Sequence, residues 1–377
     1  MPRQVTLAVI GAGARGRGYA RYATLEPQEL KIVAVADPDD FRRNQMGDEY
    51  GIPENMRFHS WQEFAKFPKM CDDVDICTQD SMHEEPAIAC AGLGYDILLE
   101  KPMAPTADAC RRIVAAVKKA GVMFAVCHVL RYTKYTLALR KIIADGEIGD
   151  IVTIQHLEPV GYWHQAHSFV RGNWRNEAES SCMLLAKSCH DIDWLRCIMG
   201  KKCKQIQSFG TLRHFRASEK PVGATDRCET CPKAVEANCP YSAYKIYFRD
   251  RFNRGARLWP TNVLAPVLTR ESLADALVNG PYGRCVYACD NDVVDNQVVN
   301  ILFEDGSTTN FSMNAFNFHT ARKTRIFGTR GEIETDSQMI EVHHFLDDSK
   351  RIIDTETSND GGILSGHGGG DLGLMEA

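Results

Sequence analysis

The chain has 377 residues, 44% of them hydrophobic, enough for one large or two ordinary domains with true cores. Its formal net charge of −5 provides no basic surface of the kind that nucleic acid or an anionic membrane requires, so neither is expected as a partner. The longest apolar runs, such as IVAAV, fall far short of the roughly 20 residues of a membrane span. The opening MPRQVTLAVIGAG enters a strand almost at once, so no signal peptide is expected and a cytoplasmic location follows by default. In that reducing setting the 14 cysteines are expected to be mostly buried thiols, apart from any cluster that holds metal.

Strand-like and helix-like segments alternate over the first 130 residues. VTLAVIG is a β-branched run closing on glycine, and KIVAVAD, DVDICTQ, YDILLEK and MFAVCHV are similar runs, each preceded by helical periodicity. Continuous apolar strands separated by helices imply a parallel sheet covered on both faces. The expected class is therefore α/β, with an N-terminal Rossmann dinucleotide-binding domain over residues 1–130.

The first strand runs into Gly11-Ala12-Gly13-Ala14-Arg15-Gly16, a G-x-G-x-x-G opening a helix. Gly11, Gly13 and Gly16 permit the tight turn, the approach of a pyrophosphate and close helix–strand packing, and the helix N-terminus supplies amide donors. Asp37 ends the next strand, where an acid accepts hydrogen bonds from the adenosine ribose and repels a 2′-phosphate, so NAD is favoured over NADP. Arg42 and Arg43 could soften that preference, or simply form a solvated helix face. Ligands of open α/β sheets bind outside the carboxyl ends of the strands. Thr78, Gln79 and Glu100-Lys101-Pro102 fall at such ends, and Arg15, His83 and Arg131 are counted with the same cofactor-binding group.

LLEKPMA, preceded by CTQDSMHEEPAIACAGLGYDI and the amino-terminal VIGAGARGRGYA, resembles the glucose–fructose oxidoreductase / inositol dehydrogenase (Gfo/Idh/MocA) family. The similarity continues through GEIGDIV, GNWR, CHDIDWL and GTRGEIET, over essentially the whole chain. The resemblance implies a second, C-terminal α/β domain, here 131–377, with a large open, mainly antiparallel sheet that often forms the interface of a homodimer or homotetramer. It implies NAD(P)-linked oxidation or reduction of a sugar, polyol or glycoside hydroxyl. In such enzymes the lysine of Glu-Lys-Pro, here Lys101, lies beside the nicotinamide and the reacting carbon. The histidine of the later helix, here His190, acts with it as acid/base. Arg131 falls where relatives carry an arginine near the domain junction, with a structural ion pair as the alternative. The usual pattern before the histidine resembles Leu-Leu-Asp-x-Gly-x-His; this chain has MLLAKSCHDID, with Ala186 at the aspartate position and Lys187 next. That departure puts a polyol-dehydrogenase style of Asp–His pairing in question.

Hydride transfer from a secondary alcohol needs a base for the hydroxyl proton and a rigid approach to the nicotinamide. A lysine becomes such a base when burial or a neighbouring cation disfavours its charged form; oxidised nicotinamide is one such cation and Lys187 another. Glu100 is expected to point back and anchor the loop or the cofactor. SSCMLLAKSCHDIDWLRCIMG has helical periodicity, which puts Lys187 and His190 on one face. Without the resemblance these two read as a satisfied helix histidine and a surface ion pair with Asp191. With it, Lys101, His190 and Lys187 are catalytic candidates and Asp191 a substrate contact. GYWHQAHSFVRGNWR gathers Trp163, Trp174 and Arg175, a composition that suits the apolar face and polar rim of a sugar, and equally a packed connector.

Between about 216 and 266 the periodicity is lost, and a loop of that length needs something to hold it. CETCPKAVEANC supplies Cys228, Cys231 and Cys239, a Cys-x2-Cys followed by a third cysteine, which suits a tetrahedral metal. His214 is the expected fourth ligand, with Cys203 the alternate, and a Cys3His set favours structural zinc; three free thiols are the competing reading. At the end of the chain, GGILSGHGGGDLGLMEA offers His367 as a substrate contact and Asp371 as an N-cap, but only six residues follow, too few for a stable helix.

The function expected is an NAD-dependent oxidoreductase that moves a hydride between nicotinamide and a secondary hydroxyl of a sugar or glycoside, with ring C3 suggested by general resemblance. A redox-assisted NAD-dependent glycosidase, working by oxidation, elimination, hydration and reduction, is the first alternative. A non-catalytic NAD- or sugar-sensing regulator is the second, and the presence of both Lys101 and His190 argues against it.

Overall fold

The computed structural model describes residues 3–355 and 366–377. The chain divides into two compact units, one of Met1–Asp150, Leu185–Gly200 and Thr329–Ala377, the other of Ile151–Leu184 and Lys201–Gly328.

In the first unit, strands β1 (Val5–Ile10), β2 (Leu30–Ala36), β3 (Arg57–Phe58), β4 (Asp73–Ile76), β5 (Asp96–Leu99) and β6 (Phe124–Val126) form an all-parallel sheet in the order β3-β2-β1-β4-β5-β6. Five of them occupy the five apolar runs. The sixth, β3, is two residues long and too short to carry a pattern. Val9, Val74, Ile76 and Leu99 are fully buried, as strands covered on both faces demand. Helices α1 (Ala14–Ala20), α2 (Asp40–Glu49), α3 (Glu84–Gly92) and α4 (Ala107–Ala120) follow strands in turn. The last shows why these segments are helical: Ala109, Ile113 and Val117 recur every four residues on its buried face. Thr106 caps its start through the Ala109 amide, and Gly121 ends it at φ 69°. The strand order reverses between β1 and β4, so the ligand crevice of such a sheet lies outside their carboxyl ends.

The second sheet has eight strands and is mainly antiparallel. In the second unit β7 (Ile151–Pro159), β8 (Cys203–Thr211), β9 (Asn296–Phe303), β10 (Thr308–Asn314) and β11 (Lys323–Gly328) run in the order β11-β7-β10-β9-β8; only β7 and β10 pair in parallel. In the first unit β12 (Gly331–Thr335), β13 (Met339–His344) and β14 (Lys350–Asp354) pair antiparallel. The alternation on β10, with Thr309, Phe311 and Met313 buried, marks a sheet with one covered face.

The stretch expected as a long loop is broken by short helical turns at Lys233–Glu236 and Tyr244–Arg249 and held by its own core. Phe215, Tyr241, Ile246 and Tyr247 pack there with Leu273 and Leu277. Its apolar residues are largely aromatic and irregularly spaced, so no period betrays them. No helix among the described residues is long and apolar enough to cross a membrane.

Candidate active site

β1 delivers the glycine turn. Gly11 has φ +99°, and a Cβ there would stand 2.6 Å from the Cys77 carbonyl oxygen; a Cβ on Gly16 would collide with the Gly11 carbonyl. At Gly13 a Cβ would meet nothing within 4 Å, which leaves that side of the turn open to a phosphate. Asp37 is buried at the end of β2, where Oδ2 accepts from the Ala12 amide at 2.7 Å and Oδ1 from the Asp39 amide at 2.8 Å. Arg43 is not a solvated residue: it is buried and donates Nη1 to the Asp37 carbonyl at 2.8 Å. Arg15 turns toward protein carboxylates, donating Nε to Glu100 at 2.6 Å and Nη1 and Nη2 to Asp371 at 2.9 and 3.0 Å.

At the tip of β5, Lys101 donates Nζ to the Ala186 carbonyl at 2.8 Å. Glu100 points back: Oε1 accepts from Arg15 and from the Tyr19 hydroxyl at 2.8 Å, and Oε2 from the Lys101 amide at 2.7 Å. Burial alone would raise the Glu100 pKa, but the charges of Arg15 and Lys101 and these hydrogen bonds outweigh it and hold the carboxyl below its ordinary value. His83 is buried, with Nδ1 2.8 Å from the Pro102 carbonyl and Nε2 3.1 Å from that of Thr78; it ties the turn after β4 to the turn after β5. Thr78 donates to the Met82 carbonyl, while Gln79 is exposed beside it.

The helix expected across 180–200 is two helices, α5 (Met183–Ala186) and α6 (Cys189–Met199). Lys187 lies half-buried in the turn between them rather than on one helical face with His190, and Asp191 is fully buried. His190 is buried, with its ring centre 5.1 Å from that of His367 and 6.4 Å from that of His128. His367 Nδ1 lies 3.0 Å from Asp371 Oδ1. Desolvation lowers the His367 pKa against the opposing charge of Asp371. The Asp371 carboxyl would rise by burial, yet His367 and Arg15 hold it well below the usual range. Desolvation likewise lowers His128, with Asp193 opposing. Arg131 forms a two-pronged pair with Asp193 at 2.7 and 2.5 Å, the ion-pair alternative for this residue.

The last residues do form a helix, α7 (Gly366–Glu376), interrupted by positive φ at His367, Gly368 and Gly369. Asp371 lies inside it as a buried ion-pair partner, not as its cap. Isolated, so short a helix would be unstable; packing of Leu374 with Tyr19, Cys127 and Val129 holds it. Gly370 and Gly373 allow it to lie directly against the Val129 and Tyr132 carbonyls. Sequence reasoning missed His128, Tyr19 and Asp193. The first had a usable signal, since it follows MFAVC at the carboxyl end of β6, where Lys101-type positions are found.

Trp163, Trp174 and Arg175 belong to the second unit. The Arg251 guanidinium stands 4.0 Å from the Trp163 ring centre and Trp259 5.5 Å away; Trp174 packs near Phe169; Arg175 grips Asp290 through two hydrogen bonds of 2.9 Å. These are the contacts of a packed connector. The Cys3His zinc set is not formed. His214 Nε2 lies 3.0 Å from the Tyr287 hydroxyl with its ring among Phe215, Tyr241 and Phe316, and Cys203 is exposed on β8. Aromatic packing takes the histidine, and no group of three or more His, Cys, Asp or Glu among the described residues is arranged to hold a metal ion.

Residues 5–128 match the oxidoreductase family, NAD-binding Rossmann fold, and residues 140–358 the C-terminal alpha/beta domain of an oxidoreductase family. The chain is 30% identical over 205 residues to inositol 2-dehydrogenase of Klebsiella pneumoniae subsp. pneumoniae, covering 53% of this chain and 56% of that protein. It is 26% identical over 206 residues to 2,7-anhydro-N-acetylneuraminate hydratase of Escherichia coli, covering 55% and 52%. Each match thus spans about half the length of the relative. Levoglucosan dehydrogenase in complex with NADH and levoglucosan shares the fold at a TM-score of 0.67 and 17% identity, over 98% of this chain and 87% of that one.

Proposed function

The chain belongs to the Gfo/Idh/MocA oxidoreductase family, and from that premise we propose that it is an NAD-dependent dehydrogenase acting on a secondary hydroxyl of a sugar, polyol or glycoside. The observation that carries this reading is Lys101 at the carboxyl end of β5, its ammonium held by a backbone carbonyl and its neighbour Glu100 turned away to the glycine loop. The open side of Gly13 and the buried Asp37 fit an NAD molecule along β1 and β2. When bound, that cofactor supplies the hydride acceptor. Lys101 positions the substrate hydroxyl and, once deprotonated, takes its proton at Nζ. His190 acts with it as acid/base. Asp371 takes the hydrogen bond of His367 Nδ1, which leaves Nε2 to accept from a second substrate hydroxyl. Glu100, Arg15 and Tyr19 hold the loop rigid, and Arg131 braces the end of β6 through Asp193.

The decisive assay follows NADH absorbance across free sugars, inositols and glycosides for the unaltered chain and Lys101→Ala. We expect one substrate class to reduce NAD and the variant to lose about 10²- to 10⁴-fold in kcat, the usual contribution of a positioned acid/base, while NAD still binds. Unchanged turnover in the variant would remove Lys101 from the mechanism. The likeness to a hydratase supports a second reading, the redox-assisted glycosidase; aglycone release with no net NADH would select it.

A further inference from the structure

We propose that Cys228, Cys231, Cys239 and Cys285 are the four ligands of a structural zinc ion in the second unit. All four line one cavity of about 20 Å³, room for a single small occupant. The backbone brings them there from two distant stretches. Arg227 and Arg284 pair as an antiparallel bridge, the Cys228 amide donates to the Gly283 carbonyl at 2.9 Å, and the Cys285 amide donates to that of Asp226 at 2.8 Å. Cys228 and Cys285 therefore flank one bridge. A turn closed by the Cys231 amide on the Cys228 carbonyl returns the second sulfur, and Cys239 arrives after the Lys233–Glu236 helical turn.

A second observation points to an anionic occupant. Arg171 lines the same cavity and is 1% exposed. It donates Nε to the Arg284 carbonyl at 2.7 Å and Nη2 to the Tyr241 carbonyl at 2.8 Å, with Cys228 Sγ at 3.8 Å; Nη1 has no hydrogen-bond partner among the described residues. A buried cation with no carboxylate partner among the described residues is costly. Zinc bound by four thiolates carries a net charge of −2, because four anionic sulfurs exceed the 2+ of the ion, and it would offset that cost. The Ala243 amide already donates to Cys228 Sγ at 3.4 Å, a contact a thiolate strengthens.

The sulfurs as they stand are free thiols and not a finished ligand set. Binding would turn them into the cavity they line and release four protons to solvent. Cys285, rather than His214, completes the set. Zinc is the ion that a closed four-sulfur site of this size favours, and with every position filled by protein its role is to clamp the 226–285 stretch.

The test uses the full chain, expressed with zinc and purified without chelator. Elemental analysis should find about one zinc per chain in the unaltered protein and in His214→Ala, falling to near none in Cys285→Ser. Because Cys285→Ser could lose its fold, the metal-free unaltered chain is also titrated with cobalt(II) under reducing conditions. An intense sulfur-to-cobalt charge-transfer band with tetrahedral d–d absorption supports the site. Absence of both zinc and that band, loss of zinc in His214→Ala, or iron in place of zinc would overturn it.

Discussion

Asp75, in the middle of β4, is fully buried, with Oδ1 accepting from Cys77 Sγ at 3.2 Å and Oδ2 without a partner among the described residues. Burial pushes its carboxyl up to about 8. The unfolded chain releases that proton near pH 3.9, so between about 4 and 8 the native state binds the extra proton. Stability therefore falls as pH rises through that window, by up to about 1.4 kcal/mol per pH unit, and levels off above it. Asp75→Asn should flatten this slope: thermal midpoints of the two proteins should agree near pH 4 and diverge in favour of the variant toward pH 8. Parallel curves would show that Asp75 stays ionised. Strand-end acids and lysines such as Asp37 and Lys101 were legible because an apolar run that stops on a charge marks its own end. The partners of those residues were not, since a run says nothing about what it faces.

Among the elements, α7 depends most on the rest of the fold. Its Asp371 is bound to Arg15 in the turn that opens α1, 356 residues earlier, and its Leu374 sits in the cluster beneath β6. Removing one partner of a buried ion pair costs about 3–5 kcal/mol; Arg15 keeps about a third of its surface exposed, so roughly 1–3 kcal/mol is the discounted expectation for Asp371→Ala. Limited proteolysis should then cut the C-terminal segment of the variant much faster than that of the parent, and equal rates would show that Leu374 suffices. The pH sense is opposite to that of Asp75. Asp371 and Glu100 are held below ordinary carboxyl values, so their stabilisation is full above about pH 4 and is lost as pH falls through the native values. The break between α5 and α6 escaped notice because a one-turn interruption leaves the apolar spacing almost in phase.

For the molecule as a whole, β8 is an edge strand exposed along its length, with Ile206 and Phe209 51% and 64% exposed. An exposed apolar edge of this kind is a surface for pairing, and it fits the homodimer or homotetramer expected from the family resemblance. Phe209→Glu should shift the native mass seen by light scattering toward the monomer and make the thermal midpoint independent of protein concentration; an unchanged assembly would place the interface elsewhere. Composition, strand period and the glycine turn were enough to establish the parallel sheet, its crevice and the lysine at its tip, because each of these is written within ten or so consecutive residues. The gathering of His128, His190 and His367, the capture of Arg15 by Asp371 and the approach of Cys285 to Cys228 were decided by tertiary packing alone. Such contacts join residues tens to hundreds of positions apart, and local periodicity carries no information about which distant surfaces burial will press together.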